Sequence, residues 1–177
     1  MAEFKGKTIL ITGGTGSFGG YFANYLLDKD FNEIRIFSRD ELKQEQMRQR
    51  LNHSKIKFHI GDIRDRGSVD DAMTGVDYVF HAAALKQVPS CEFFPMQATL
   101  TNVIGSQNVI NSAIQNGVAK VVSLSTDKAV YPVNALGITK ALMEKIVQSV
   151  SRNILKGQTI LTLVRYGNVL FSRGSVI

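Results

Sequence analysis

Residues 7–20, KTILITGGTGSFGG, place a glycine-rich turn between a short apolar run and a helical stretch. The apolar run at 7–12 is typical of a buried strand, and the stretch after the turn continues in helical spacing to Leu26. The turn carries three regularly spaced glycines, Gly13, Gly16 and Gly19. Glycines in such a turn allow backbone N–H groups to approach a pyrophosphate, and the start of the helix adds partial positive charge. The stretch therefore predicts a dinucleotide-binding unit of strand, turn and helix.

The alternation of apolar runs and helical stretches continues along the whole chain. Further strands are predicted at residues 33–38, 56–60, 78–81, 118–124 and 159–164. Helices are predicted at residues 40–51, 68–73, 95–116 and 134–155, with Asp40 as a cap and Gly117 as a stop. Strands that alternate with helices indicate an α/β fold with a doubly wound parallel sheet. We therefore expect residues 1–177 to form one Rossmann-like domain.

Composition favours one globular domain with an anionic small-molecule partner. The 177 residues are 44% hydrophobic and 20% charged, which is ordinary for a folded domain. The net charge of +6 comes from dispersed basic residues, so a phosphorylated small molecule is favoured over nucleic acid. The amino-terminal apolar run is too short for a signal peptide or a membrane span, so we expect a cytoplasmic protein without a membrane partner.

Cysteine and histidine give no indication of a metal site. Cys91 is the single cysteine, which excludes an internal disulfide, and we interpret it as a small apolar residue. The three histidines are scattered without metal-ligand spacing. Of these, His81 is predicted to pack beneath the glycine-rich loop.

The end of the second predicted strand bears on which dinucleotide is bound. An acid at this position contacts the ribose of NAD, whereas an arginine there accommodates the extra phosphate of NADP. The sequence provides Ser38, Arg39 and Lys43, which can all reach a 2′-phosphate. We therefore expect NADP. The alternative is a solvated helix start with Asp40 as its cap.

Six motifs together make this sequence similar to a known family. They are TGGTGSFGG at 12–20, FSRDELKQ at 37–44, GDIRD at 61–65, HAAALKQVPSCEFFP at 81–95, TNVIGSQNV at 101–109 and STDKAVYPVNALGITK at 125–140. With these motifs the chain resembles the extended short-chain dehydrogenases of bacterial surface-polysaccharide synthesis. Within that family it is most similar to the UDP-N-acetylglucosamine 4,6-dehydratases that invert carbon 5. The resemblance covers residues 7–177, and such enzymes are about twice as long as this chain.

The resemblance implies a role for each residue of the stretch 126–128. Thr126 is implied to hydrogen-bond the carbon-4 oxygen of the sugar, Asp127 to assist the loss of water as an acid, and Lys128 to act as the base at carbon 5. Dehydratases that do not invert carbon 5 usually have glutamate beside the aspartate, so Lys128 points to the inverting group. The alternative is that Asp127 and Lys128 form only a surface ion pair.

Position 136 departs from the family's pattern. A tyrosine is expected four residues before Lys140, which is implied to hold the nicotinamide ribose, but this position is Leu136. On a helix the two residues share a face, so the tyrosine would have pointed at the same cofactor. Either the site is inactive and Leu136 only packs in the core, or Lys128, Asp127 or a relay through Thr126 takes the proton. Capsule-type members often carry methionine here, which favours the second interpretation, with Lys128 as the base.

The other implied site residues lie at strand ends and in the loops that follow them. The cofactor-binding set is Gly13, Thr15, Gly16, Ser17, Phe18, Gly19, Ser38, Arg39, Lys43, Asp62, Ile63, Ala82, Ala83, Ala84, Lys86, Asn102, Lys140, Tyr166 and Asn168. The substrate-binding set is Lys86, Asn168, Val169, Arg173 and Ser175. Asp62 and Ile63 are placed to meet the adenine edge. Gln87 stands where related dehydratases have histidine, and Tyr131 is a further candidate for the missing hydroxyl.

The preferred interpretation is the NADP-binding and catalytic part of an inverting UDP-N-acetylglucosamine 4,6-dehydratase for capsule or O-antigen synthesis. Its implied partners are a UDP-sugar and, in the full-length protein, further copies of itself. One alternative is a nucleotide-sugar 4-epimerase, which needs no acid–base pair at carbons 5 and 6. Another is a non-catalytic NADP-binding regulator, for which Leu136 is the argument. Residues 165–177, RYGNVLFSRGSVI, end without a helix or cap, so we expect an amino-terminal fragment that is inactive alone.

Overall fold

Six parallel strands form one sheet at the centre of the computed structural model, which describes residues 4–155 and 158–169. The strands are β1 (Thr8–Thr12), β2 (Glu33–Ser38), β3 (Ile56–Ile60), β4 (Tyr78–His81), β5 (Lys120–Leu124) and β6 (Ile160–Val164). Their order across the sheet is β3-β2-β1-β4-β5-β6, and every neighbouring pair is parallel. The predicted doubly wound α/β fold is confirmed.

Helices cover both faces of this sheet. They are α1 (Ser17–Leu26), α2 (Glu41–Leu51), α3 (Arg66–Met73), α4 (Val88–Phe93), α5 (Pro95–Thr99), α6 (Ser106–Gln115) and α7 (Ala135–Asn153). A π-helical turn, Leu100–Gly105, joins α5 to α6. In the described part of the chain, no helix is both long and apolar enough to cross a membrane.

The two faces of the sheet have separate cores because side chains of one strand alternate between faces. Ile9 and Ile11 pack with Ala23 and Leu26 of α1. Leu10, between them in sequence, belongs to the cluster on the other face, which includes residues of α3 and α6. All five residues of β1 are buried, as expected for a strand at the centre of a sheet covered on both sides.

Several boundaries differ from the sequence-based prediction. The predicted helix at 95–116 is interrupted by the π-helical turn, and α4, which precedes Pro95, was not predicted. Helix α3 begins two residues earlier than predicted because Asp65 caps it, its carboxylate accepting from the backbone of Gly67 and Ser68. Asp40 caps α2 and Gly117 has a φ of 67°, so both predicted helix boundaries are confirmed.

Candidate functional site

The candidate site lies along the edge where the carboxyl ends of the parallel strands meet. The connections after β1 and after β4 leave the sheet in opposite directions, so a crevice opens between these neighbouring strands. Ligands of open α/β sheets bind at such a crevice. The glycine-rich turn follows β1, residues 82–87 follow β4, the stretch 125–134 follows β5, and residues 165–169 follow β6.

The glycine-rich turn packs directly against the loop after β4. Gly13 has a φ of 65°, a left-handed conformation, and a Cβ there would lie 2.7 Å from the backbone nitrogen of Ala83. The two loops therefore come together backbone to backbone. This contact gives position 13 a steric reason to be glycine and brings the backbone of Ala82 and Ala83 against the turn.

The start of α1 differs from the starts of α2, α3 and α7. Helices α2, α3 and α7 begin at Asp40, Asp65 and Asn134, whose side chains accept bonds from backbone N–H groups of the first turn. Helix α1 begins at Gly16, which has no side chain to do so, and its first turn contains no acid. The N–H groups of Ser17, Phe18 and Gly19 are therefore left for an external anion, as a pyrophosphate site requires.

His81 lies beneath the glycine-rich turn, as predicted. Its Nδ1 is 2.7 Å from Thr12 Oγ1 and its Nε2 is 2.8 Å from Ser106 Oγ. Burial, with the charge of Lys140 adding to it, lowers the pKa of His81 to about 3, so the ring is neutral. The Ser106 hydroxyl donates to the carbonyl of Asn102, so Nε2 must carry the ring proton and Nδ1 must accept from Thr12.

This chain of bonds holds the crevice together. Thr12 Oγ1 also accepts from the backbone of Ala83 at 3.3 Å, so the bonds run without a break from the loop after β4 to the π-helical turn. His81 is therefore a structural residue that fixes both walls of the proposed cofactor crevice.

The residues predicted to determine whether NAD or NADP is bound lie together at the end of β2. The hydroxyls of Thr15 and Ser38 are 2.7 Å apart. The side chain of Arg39 is 56% exposed and its Nη1 lies 3.3 Å from Asp62 Oδ2. Lys43 pairs with the capping carboxylate of Asp40. Two exposed cations and two hydroxyls thus lie together at the end of β2.

Asp62 remains charged at this edge. Its burial would raise the pKa of the carboxyl, but hydrogen bonds from Arg64 and the charge of Arg39 lower it further than burial raises it. Ile63, the other predicted adenine contact, is only 3% exposed and belongs to the core cluster. A Cβ at Gly105 of the π-helical turn would lie 2.7 Å from Ile63 Cγ1, so the isoleucine side chain serves packing.

Asn102 was predicted among the cofactor-binding residues, but its amide is fully used inside the protein. Its Oδ1 accepts from the backbone N–H of Leu85, and its Nδ2 donates to the carbonyl of Leu85 and to Thr139 Oγ1. The residue has no exposed surface. Asn102 therefore holds the loop after β4 against α7, and its effect on a cofactor is indirect.

The residues Thr126, Asp127 and Lys128 form a compact turn at the end of β5. The Thr126 hydroxyl donates to Asp127 Oδ1 at 2.8 Å, and Lys128 Nζ lies 3.2 Å from the same oxygen. Lys128 Nζ also donates to Asn168 Oδ1 at 3.1 Å, which brings the end of β6 to the same place. The structure thus assembles the predicted Thr-Asp-Lys group and adds Asn168 to it.

Charge and hydrogen bonding keep Asp127 ionised in this arrangement. The hydroxyl of Thr126, followed by Lys128, holds the pKa of the Asp127 carboxyl below its usual range. The side chain of Asp127 is 53% exposed, so it faces the open side of the crevice. For Asp127 to act as an acid, it must first receive a proton from a neighbour.

Lys140 is buried beneath this turn. Its Nζ donates to the carbonyl of Leu124 at 2.6 Å, and burial lowers its pKa to about 8, with the charge of Glu144 opposing the shift. Leu136, one helical turn earlier, is 5% exposed and packs with Cys91 and Ala98. Leu136 therefore fills the core, and Cys91 is buried as predicted.

Tyr131 does not take the place of the missing tyrosine in this structure. It is 93% exposed and adopts a φ of 47°, in the left-handed region that is unfavourable for a tyrosine. Its ring therefore points to solvent at the outer end of the loop between β5 and α7.

The remaining predicted residues are distributed around the crevice. Lys86 is exposed in the loop after β4, and Tyr166 and Val169 are partly exposed after β6. The carbonyl of Tyr166 accepts from the backbone N–H of Asp127 at 3.0 Å. Arg173 and Ser175 lie outside the described residues.

Two functional positions were not predicted. A Cβ at Gly137 would lie 2.2 Å from the carbonyl oxygen of Lys128, so only glycine lets α7 approach the turn this closely. Glycine is otherwise unfavourable inside a helix, so the close contact with Lys128 explains its presence at position 137. Asn134 caps α7 and accepts from the backbone N–H of Gly137. Glu144 is the second, a buried acid four residues after Lys140 on the same helix face.

Among the described residues, no three histidine, cysteine or acidic side chains are grouped so that they could hold a metal ion. At and beneath the turn after β5, the polar groups include the Thr126 hydroxyl, the Asp127 carboxylate and the amines of Lys128 and Lys140.

Fold and strand order together define an α/β protein of the Rossmann type. The sequence profile of the family described as "Polysaccharide biosynthesis protein" matches residues 9–177, and the chain belongs to this family. It is 62% identical to a Rickettsia typhi protein named UDP-glucose 4-epimerase, over 98% of this chain and 52% of the relative. The chain therefore spans about half the length of that relative.

Solved structures agree with this placement. The X-ray structure of Pen from Bacillus thuringiensis is 42% identical with a TM-score of 0.95, covering 98% of this chain and 54% of that chain. A dTDP-glucose 4,6-dehydratase from Streptomyces venezuelae, solved with NAD bound, is 26% identical with a TM-score of 0.80. That match covers 89% of this chain and 55% of the dehydratase. Both epimerases and dehydratases thus lie among the similar proteins.

Proposed function

We propose that residues 1–177 form the cofactor-binding and catalytic part of an NADP-dependent 4,6-dehydratase that acts on UDP-N-acetylglucosamine with inversion at carbon 5. The observation that carries this proposal is the contact between Lys128 Nζ and Asp127 Oδ1, 3.2 Å long, beside the Thr126 hydroxyl. A dehydratase needs an acid and a base that act on neighbouring carbons of one sugar. These two side chains are adjacent, of opposite type and open to the crevice.

The groups that line the crevice are of the kinds that bind a dinucleotide. The uncapped start of α1 offers N–H groups to a pyrophosphate, and Gly13 and Ala83 leave no side chain in its way. Buried Lys140 lies under the position proposed for the nicotinamide ribose, where it would donate to the ribose hydroxyls. When bound, NADP⁺ would accept a hydride from carbon 4 and, once reduced, would return it to carbon 6 after the loss of water.

The Asp-Lys pair can account for the protons of the reaction. Lys128 in its neutral form takes the proton of the carbon-4 hydroxyl and passes it to Asp127 across their contact. The carbonyl formed at carbon 4 acidifies carbon 5, and Lys128, again neutral, removes that proton. Asp127 gives its proton to the carbon-6 hydroxyl, which leaves as water, so Asp127 returns to the ionised form that its neighbours favour.

Inversion then requires a proton from the opposite face of the ring. Lys128 lies on the face from which the proton was removed, so solvent or a group across the ring supplies the new one. Lys128 releases its proton to solvent, and the pair regains its initial state. In this scheme Leu136 needs no hydroxyl, because proton abstraction lies on the turn after β5.

A second candidate is a UDP-sugar 4-epimerase, and the name of the 62% identical Rickettsia typhi relative favours it. A 4-epimerase removes and returns hydrogen at carbon 4 alone. It has no step for an acid and a base at carbons 5 and 6, whereas Asp127 and Lys128 are both present and in contact. A protein that binds NADP without turnover is the third possibility.

Product analysis separates these functions. We expect the full-length protein to convert UDP-N-acetylglucosamine into a 4-keto-6-deoxy sugar nucleotide, identified by NMR and mass spectrometry through the loss of one water. An epimer at carbon 4 with unchanged mass, from UDP-N-acetylglucosamine or UDP-glucose, would establish the epimerase instead. Cofactor binding without any product would support the regulator.

The proposed preference for NADP over NAD can be tested at Arg39. Replacing Arg39 by alanine should weaken NADP binding about tenfold and leave NAD binding unchanged, because a charge-assisted bond to the 2′-phosphate is worth about 1.5–3 kcal/mol. Isothermal titration with both cofactors measures this difference. Arg48→Ala is the matched control, since Arg48 is similarly exposed on α2 and pairs with Glu45. Equal losses for NAD and NADP in Arg39→Ala would contradict the assignment.

A further inference from the structure

Glu144 is a buried carboxylate that three hydrogen bonds satisfy. Its side chain is 4% exposed. Its Oε1 accepts from Ser125 Oγ at 2.5 Å and from Arg165 Nε at 2.9 Å, and its Oε2 accepts from Arg165 Nη2 at 2.5 Å. The hydrogen bonds from Arg165 lower the pKa of Glu144 more than burial raises it, so the group is charged. A buried charge is retained only where such partners compensate its desolvation.

The partners of Glu144 belong to the two strand ends that carry the proposed acid–base pair. Ser125 directly precedes Thr126 in the turn after β5. Arg165 directly precedes Tyr166, whose carbonyl holds the backbone of Asp127, and lies shortly before Asn168, which contacts Lys128. Glu144 itself lies on α7, one turn after Lys140. One carboxylate thus joins the three segments that surround the site.

We infer that Glu144 is a positioning residue that ties the ends of β5 and β6 to α7 and so sets Asp127, Lys128 and Asn168 relative to one another. This inference rests on the proposed function. Glu144 is too deeply buried to meet a substrate, and its partners are the neighbours of the reacting groups, so it acts through them.

The substitution Glu144→Gln isolates this role. Glutamine keeps the shape and one acceptor oxygen for Ser125 Oγ and Arg165 Nε, but it replaces the other oxygen by an amide group that faces the Arg165 Nη2 donor. The backbone bonds from Ser125 to Val164 and from Asp127 to Tyr166 remain, so the sheet is kept. The end of β6 should loosen, and Asn168 should leave its place beside Lys128.

The test is steady-state kinetics of the full-length protein with UDP-N-acetylglucosamine. We expect Glu144→Gln to lower kcat about tenfold or more, while KM for the sugar nucleotide and Kd for NADP change less than about twofold, because misplacement of reacting groups affects the chemical step. Arg165→Met should reproduce the loss of kcat, and the double variant should show no further loss, because both changes break one contact. Glu45→Gln, an exposed acid paired with Arg48, is the matched control.

The positioning role of Glu144 and the proposed dehydratase function can fail independently of each other. A wild-type kcat in Glu144→Gln, or independent losses that multiply in the double variant, would overturn the positioning role. If Glu144→Gln does not fold, Arg165→Met alone carries the test. If the wild-type protein yields only a carbon-4 epimer, the dehydratase fails. The kinetics of wild type and Glu144→Gln would then be measured for the epimerisation. A lower kcat at constant KM in the variant would support the positioning role, and an unchanged kcat would overturn it.

Discussion

Replacing Lys128 by methionine should lower dehydratase turnover by about a thousandfold, because general acid–base catalysis by one positioned group contributes about 10²–10⁴. Methionine retains the aliphatic stem but removes the amine that contacts both Asp127 and Asn168. We expect NADP binding to stay within about twofold of wild type, since Lys128 is assigned to the sugar. Stopped-flow absorbance of the reduced cofactor and product analysis measure the two effects.

Lys145→Met is the control for this variant. Lys145 is an exposed lysine of α7 outside the site, and its replacement should leave turnover unchanged. If Lys128→Met turned over at the wild-type rate, the assignment of the base would be wrong, and Asp127 or a relay through Thr126 would have to take both protons.

Gly137→Ala should abolish most activity for a steric reason. The new Cβ would lie 2.2 Å from the carbonyl oxygen of Lys128 and 3.1 Å from its carbonyl carbon, and both partners are backbone. The turn must therefore move away from α7. A displacement of about 1 Å in a catalytic group can cost about a hundredfold in rate, and overpacking costs about 1–3 kcal/mol of stability. We expect both losses, measured by turnover and by urea unfolding.

Gly67→Ala is the matched control, because Gly67 is also a glycine in the first turn of a helix. A Cβ at Gly67 would meet only Asp65 Oδ1, at 3.5 Å, which is an ordinary contact. That variant should be as active as wild type and at least as stable, since alanine favours helix. Wild-type activity in Gly137→Ala would show that the turn after β5 does not need its present position.

The sheet, its strand ends and the glycine-rich turn could be predicted from sequence because each depends on a local pattern. Apolar runs of strand length, the spacing of Gly13 and Gly16, and caps such as Asp40 are visible without knowledge of tertiary contacts. The π-helical turn was not predictable, since no local pattern distinguishes it from an α-helix. It lies where Asn102 turns inward to hold Leu85.

The site residues could be predicted from sequence only where they lie within one short motif. Thr126, Asp127 and Lys128 are consecutive, so their proximity followed from the sequence. Their contact with Asn168 depends on the pairing of β5 with β6, which brings residues forty positions apart together. The same pairing and the approach of α7 give Glu144 its partners. In sequence, Glu144 shows only as an acid four residues after Lys140 on the same helix face.

Isotope exchange at carbon 5 tests whether Asp127 and Lys128 move a proton at that carbon. The full-length protein is incubated with NADP and UDP-N-acetylglucosamine in deuterated water, and the product is examined by NMR. We expect a 4-keto-6-deoxy product that carries solvent deuterium at carbon 5 with inverted configuration, and about a thousandfold slower formation of this labelled product in Lys128→Met. A product that retains the original hydrogen at carbon 5 would contradict the roles of Asp127 and Lys128, because they would then have no proton to move there.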